Sequence, residues 1–155
     1  MKLVSACLCG VNCKYNGKNN LNLNFVELLQ KDDVIPVCPE QLGGLTTPRL
    51  PAEIKAGSGQ DVLAGNSKVL NKDGDDVTDN YIKGAYETLK IAQMAGVDTA
   101  ILKSRSPSCG SGYIYDGSFS FKLRQADGVT AALLKENGIK VMDEDEYVEK
   151  GECQD

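Results

Sequence analysis

Three cysteines in this chain each follow a short apolar run that reads as a β-strand. Cys7 follows Leu3-Val4-Ser5-Ala6, Cys38 follows Val34-Ile35-Pro36-Val37, and Cys109 follows Ala100-Ile101-Leu102 and a loop over 103–108. In an open parallel sheet, ligands bind in the crevice outside the carboxyl ends of the strands. Three thiols far apart in sequence can therefore converge there, which is the geometry of a metal or cluster site held from three loops. The chain contains no histidine. That removes the commonest general base, the commonest neutral metal ligand and any Cys-His nucleophile. Chemistry is left to thiolates, carboxylates, hydroxyls, lysines, arginines and backbone amides.

The spacing of the six cysteines contains no CxxC pair, so it fits no zinc knuckle. Cys7, Cys9 and Cys13 share one loop, and Cys38 precedes Pro39, as a ligating cysteine does in ferredoxin-type runs. A buried structural cysteine is the competing explanation for any single one of them. It explains three at strand ends, two of them beside glycine or proline, less well.

The elements that must position these thiols are legible as alternating strands and helices. Residues 2–6 read as a buried first strand, and a loop rich in turn formers leads to a helix over 22–31. Val34–Val37 is the second strand, with Pro36 an objection to a central place. Residues 39–51, with three prolines and Gly43-Gly44, read as an ordered loop. Within 52–77, runs at 52–54 and 68–70 are expected to pair as a small excursion, with Asp73-Gly74 as a turn. Thr78 is a candidate N-cap for the longest helix, whose inward face carries Ile82, Ala85, Leu89 and Ala92 and which stops at Gly96. Thr99–Leu102 is the next strand, 113–115 a short one closed by Asp116-Gly117, and Asp127 a candidate cap for a helix to Gly138. Residues 139–142 form the last strand, and Asp143 with Glu146 resembles a capping box for a terminal helix. This alternation implies parallel βαβ units: a three-layer α/β fold with an open, mostly parallel, Rossmann-like sheet. A single domain is expected over 1–150, with a frayed tail over 151–155.

Length and composition agree with one ordinary core: 155 residues, 41% hydrophobic and 25% charged. A net charge of −5 argues against a nucleic-acid polymer as partner, and no apolar run is long enough to span a membrane. Val4-Ser5-Ala6-Cys7 superficially resembles a lipoprotein processing site, but too few residues precede the cysteine for a charged and an apolar region. The expected location is the cytoplasm, where thiols stay reduced and serve metals or catalysis.

A set of motifs then appears in order: Ser5-Ala6-Cys7, Cys13-Lys14-Tyr15-Asn16-Gly17, Cys38-Pro39-Glu40, Gly43-Gly44-Leu45, Pro48-Arg49, Pro51-Ala52-Glu53, Lys103, Ser106-Pro107-Ser108-Cys109-Gly110, Tyr115-Asp116-Gly117 and the run from Gly128 to Leu134. This combination resembles the thiouracil desulfidase family over nearly the whole chain. The resemblance implies a [4Fe-4S] cluster held by three cysteines, with one iron free of protein ligands. Carried over by motif, the ligands are Cys7, Cys38 and Cys109, and Cys13 is an alternative ligand or a nearby thiol. Asn16 stands where relatives often carry aspartate. Cys9 and Cys153 receive no role.

The implied reaction is non-redox removal of sulfur from a small thiolated base such as 2-thiouracil, or a similar thioamide. The open iron acts as a Lewis acid toward the soft thiocarbonyl sulfur. Glu40, two residues from a ligand, is the candidate base that activates water, and Ser106 the candidate hydrogen-bonding or proton-relaying hydroxyl. Glu40 could instead cap a helix, and Ser106 could merely hold the Pro107 turn. Lys103 and Arg105 are either solvated charges or counter-charges to the cluster, and Arg49 with Glu53 reads as an ion pair stapling the proline-rich loop. Tyr15 and Tyr113 are candidate stacking surfaces for a base. Two other functions stay open: a metal-free persulfide sulfurtransferase with Cys109 as nucleophile, and a non-catalytic metal- or cluster-binding module that would not need Glu40 or Ser106.

Overall fold

The chain's apolar runs pair side by side in a computed structural model, which describes residues 1–153. In chain order the strands are β1 (Lys2–Ser5), β2 (Val34–Val37), β3 (Ala52–Lys55), β4 (Lys68–Asn71), β5 (Thr99–Leu102), β6 (Tyr113–Tyr115), β7 (Leu123–Gln125) and β8 (Lys140–Asp143). The helices are α1 (Leu23–Leu29), α2 (Pro39–Leu42), α3 (Gly59–Leu63), α4 (Thr78–Met94), α5 (Val129–Glu136) and α6 (Glu144–Cys153). The expectation for a frayed tail includes residues 154–155, which lie outside the described residues.

The central sheet has the order β2-β1-β5-β8, and every pairing in it is parallel. Pro36 is tolerated because β2 is an edge strand. Alternate residues of the strands feed two cores, as the two-residue period requires. Leu3, Ala100 and Leu102 join Ala85, Leu89 and Ala92 of α4 and the buried face of α5. Val4, Ile101 and Met142 point the other way, to Phe25, Leu29 and Tyr147. Phe25 is fully buried, which contributes roughly 1.5–3 kcal/mol, and Tyr147 meets its ring edge-on at 5.7 Å. The result is the expected three-layer α/β fold.

Several local expectations change for identifiable reasons. β3 and β4 pair antiparallel and the Asp73-Gly74 turn follows β4, both as expected, but α3, which was not foreseen, lies between the two strands in sequence. Residues 39–42, read as loop, form α2, with Pro39 at the first helical position, where its missing N–H costs nothing. β7 was not foreseen: its three residues are all exposed and leave no apolar signal. Thr78 is the first residue of α4 rather than its cap; its hydroxyl accepts the Val69 amide at 2.9 Å. Asp127 does not cap α5 with its side chain. It holds Lys135 at 2.8 Å and the Gly112 amide at 2.9 Å, while the first amides of α5 are met by backbone carbonyls. Val129 N donates to Pro107 O at 2.8 Å and Thr130 N to Ser108 O at 2.9 Å. Asp143 does accept the Glu146 amide at 2.9 Å. Among the described residues, no helix is long and apolar enough to cross a membrane.

Candidate functional site

The chain leaves β1 toward β2 on one side and later adds β5 on the other, so the crossovers diverge at the carboxyl ends of β1 and β5. A crevice opens there for topological reasons alone. It is a cleft of about 710 Å³. Its lining includes Cys7 after β1, Cys38 at the end of β2, Cys109 after β5, and also Cys13. All three expected ligands and the alternative thus face one space. Cys9 does not; it packs against the Phe25 core.

Each thiol is held by local structure. Cys7 sits in a 3₁₀ turn, Ala6–Cys9, closed by Gly10 in the left-handed region. Cys38 is the residue before Pro39, and so is extended. Its thiol donates to Glu40 Oε2 at 3.3 Å and lies 3.7 Å from the Cys13 carbonyl oxygen. The Cys109 amide and the Ser108 amide both donate to Ser106 Oγ at 3.1 Å, and the same loop supplies the carbonyls that receive α5. The cysteine loop is therefore fixed from its own start and from the helix behind it.

The four thiols are not equivalent. The neighbouring Cys38 and Cys7 thiols, together with burial, push the Cys13 pKa far up. Cys13 in turn pulls Cys7 down to about 7, against burial and Glu40, with help from Asn20 and Lys103. Burial, then Glu40, pushes Cys109 up, and a hydrogen bond with Ser5 only partly offsets this. A metal-free sulfurtransferase needs a low-pKa exposed thiolate, and buried Cys109 does not supply one.

Glu40 lies in the first turn of α2 with its side chain 12% exposed, and Arg49 faces it at 3.6 Å with its own side chain 11% exposed. Arg49 also donates to the Cys13 carbonyl at 3.0 Å, and its amide donates to Tyr15 O at 2.7 Å. The expected Arg49–Glu53 pair is not formed: Arg49 is turned inward to Glu40, and Glu53 accepts the Gly117 and Phe119 amides at 3.0 and 3.2 Å. Lys103 lines the cleft but is paired with Glu144 at 3.1 Å. Burial pushes Glu144 up; Lys103, Ser104 and backbone amides outweigh it and hold the carboxyl below its usual range. Ser106 and Arg105 line the cleft too.

Sequence reasoning did not single out Tyr81, Phe119 or Phe121, and gave Tyr115 a place in a motif but no role; all four also line it. Tyr81 is buried in the inward face of α4, so periodicity marks it only as core. Tyr15 faces the cleft as expected, whereas Tyr113 is exposed and is not part of the lining.

The family model described as 2-thiouracil desulfurase matches residues 3–146. A protein of Bacillus subtilis (strain 168), "Uncharacterized protein YbbK", is 48% identical over 146 residues, which cover 94% of this chain and 97% of that one. The solved structure of the [4Fe-4S]-dependent thiouracil desulfidase TudS (DUF523Vcz) is similar with a TM-score of 0.83 and 37% identity, covering 98% of this chain and 95% of that one.

Proposed function

Because the chain belongs to the 2-thiouracil desulfurase family, we propose that it is a [4Fe-4S]-dependent desulfidase that converts the C=S group of a thiolated nucleobase such as 2-thiouracil to C=O. The observation that carries this reading is one cleft containing four thiols and a largely buried carboxylate. The donor set fits the cluster: Cys7, Cys38 and Cys109 all line the cleft, and cysteine sulfurs are the ligands that iron-sulfur clusters take. Cys7, Cys38 and Cys109 would hold the cluster, with Cys13 as the fourth, non-ligating thiol. When bound, the cluster supplies a thiophilic Lewis acid for the substrate sulfur.

The chain's own residues do the rest. Glu40 takes a proton from water as the water oxygen bonds to the thiocarbonyl carbon; the C–S bond then breaks and sulfur departs as sulfide. Water supplies the new oxygen, and no electron is gained or lost. Arg49 fixes the carboxylate so that Oε2 stays beside Cys38. Ser106 Oγ spends its acceptor capacity on the Ser108 and Cys109 amides, which leaves its O–H to donate into the cleft.

The test is sulfide release from 2-thiouracil by anaerobically reconstituted protein, with iron and sulfide content measured in parallel. Glu40→Ala should retain the cluster and lose turnover. Turnover by the metal-free protein, or full activity of the variant, would refute the assignment.

A further inference from the structure

The wall of the cleft contributed by the β6–β7 hairpin is aromatic and strained. Tyr115, Phe119 and Phe121 all line the cleft. The connecting loop, 116–122, is closed by Asp116 N donating to Lys122 O at 2.9 Å. It is clamped from another hairpin by Glu53 on β3. That carboxylate belongs to a residue only 8% exposed, and both hydrogen bonds it accepts come from loop amides. Gly117 lets the loop sit directly on β3: a Cβ there would lie 2.6 Å from Ile54 O.

Phe119 and Phe121 both occupy the left-handed region, at φ 56° and 62°, which L side chains with a Cβ enter at a cost. Strain of this kind persists only where the surroundings impose it. At Phe119 the buried Glu53 clamp does so, and the Asp116 N to Lys122 O hydrogen bond closes the loop that carries Phe121. The strain does not serve burial, because Phe121 is 86% exposed. Its ring is left at the rim of the cleft, edge-on to Tyr115 at 6.4 Å. Neither packing nor stability accounts for a large apolar ring held there in a costly backbone conformation.

We infer that Phe121, with Phe119 beside it, is the specificity-determining platform on which a flat heterocyclic thione stacks while its sulfur reaches the thiol floor. This rests on the desulfidase reading of the cleft and adds a selection rule: planar aromatic rings are preferred over saturated thioamides with the same hydrogen-bonding edge. Stacking of a base on one aromatic side chain changes affinity by roughly tenfold or more.

The probe pair is 2-thiouracil and 5,6-dihydro-2-thiouracil, which share the thioamide edge but differ in planarity. Binding of each to anaerobically reconstituted protein is measured by calorimetry, beside sulfide release. Wild type should bind the planar ring about tenfold more tightly. Phe121→Ala should abolish that preference by weakening only the planar ligand, and Phe121→Trp should restore it. Equal binding of the two probes by wild type, or a preference that survives Phe121→Ala, overturns the inference while leaving the desulfidase reading intact if sulfide is still released. Absence of both binding and sulfide release overturns both.

Discussion

Gly84→Ala is the sharpest test of how the fold holds Glu40, the carboxylate proposed as the base. Helix propensity alone favours the change, because alanine is better than glycine inside a helix by about 0.8–1.0 kcal/mol. Packing reverses the sign. A Cβ on Gly84 would stand 2.0 Å from the carbonyl oxygen of Pro39, and Gly43 approaches Asn80 O equally closely from the other side. Ordinary contact begins near 3.4 Å, so α2 and α4 must part by roughly 1.4 Å. Overpacking costs about 1–3 kcal/mol even where side chains can adjust, and the atom met here is backbone. The expected net loss is about 1–2 kcal/mol, a fall in Tm of roughly 3–8 °C for a chain of this size. The displaced helix is the one that carries Glu40 in its first turn and Cys38 just before it. A misplacement of about 1 Å costs on the order of 100-fold in rate, so kcat/KM for sulfide release should fall 10- to 100-fold. Thermal unfolding followed by circular dichroism and the sulfide assay read the two effects. A variant that is more stable and fully active would show that the α2–α4 contact does not position the site.

Three further outcomes follow from the same geometry. Cys13→Ser should keep the iron content of reconstituted protein, whereas Cys7→Ser, Cys38→Ser and Cys109→Ser should each lower it; the reverse pattern for Cys7 and Cys13 would exchange their roles. Ser106→Ala removes the shared acceptor of two loop amides and should destabilise the protein by about 1–3 kcal/mol, with Ser106→Thr restoring most of it in denaturant titrations. Asp127 is pushed up by burial but held below its usual range by Lys135, the Gly112 amide and Gln60. Its stabilisation is therefore present above the ordinary carboxylate pKa and lost as pH falls through the depressed folded value. The stability gap between wild type and Asp127→Asn should narrow below about pH 4, and a gap independent of pH would mean the carboxylate charge is not what stabilises.

The framework of the fold is written locally. Val34–Val37 and Thr99–Leu102 were readable to the residue because a short apolar run bounded by polar turns has few other uses. α4 was readable because its inward face repeats at helical spacing. α2 was hidden: four residues hold too few turns to show a period, and three prolines nearby pointed to loop. The side chains assigned to caps were also misjudged. Thr78 and Asp127 have the right chemistry for capping, but β4 and Lys135 offered their oxygens other partners. The partner of Glu53 was missed for the same reason, since it lies more than sixty residues away on another hairpin.

The sequence by itself determined the thiol chemistry. With no histidine and cysteines at three strand ends, a thiolate site at the carboxyl edge of a parallel sheet followed from residue types and strand order, both local properties. What only the tertiary structure decided is who touches whom inside that cleft. It brought Cys13 into one cleft with Cys7 and Cys38, turned Arg49 to Glu40, and placed Phe121 at the rim. Those outcomes depend on distances between loops that no neighbouring residues specify. They are set by how closely α2 can approach α4 and where a buried carboxylate anchors a distant hairpin, which is physics of packing rather than of pattern.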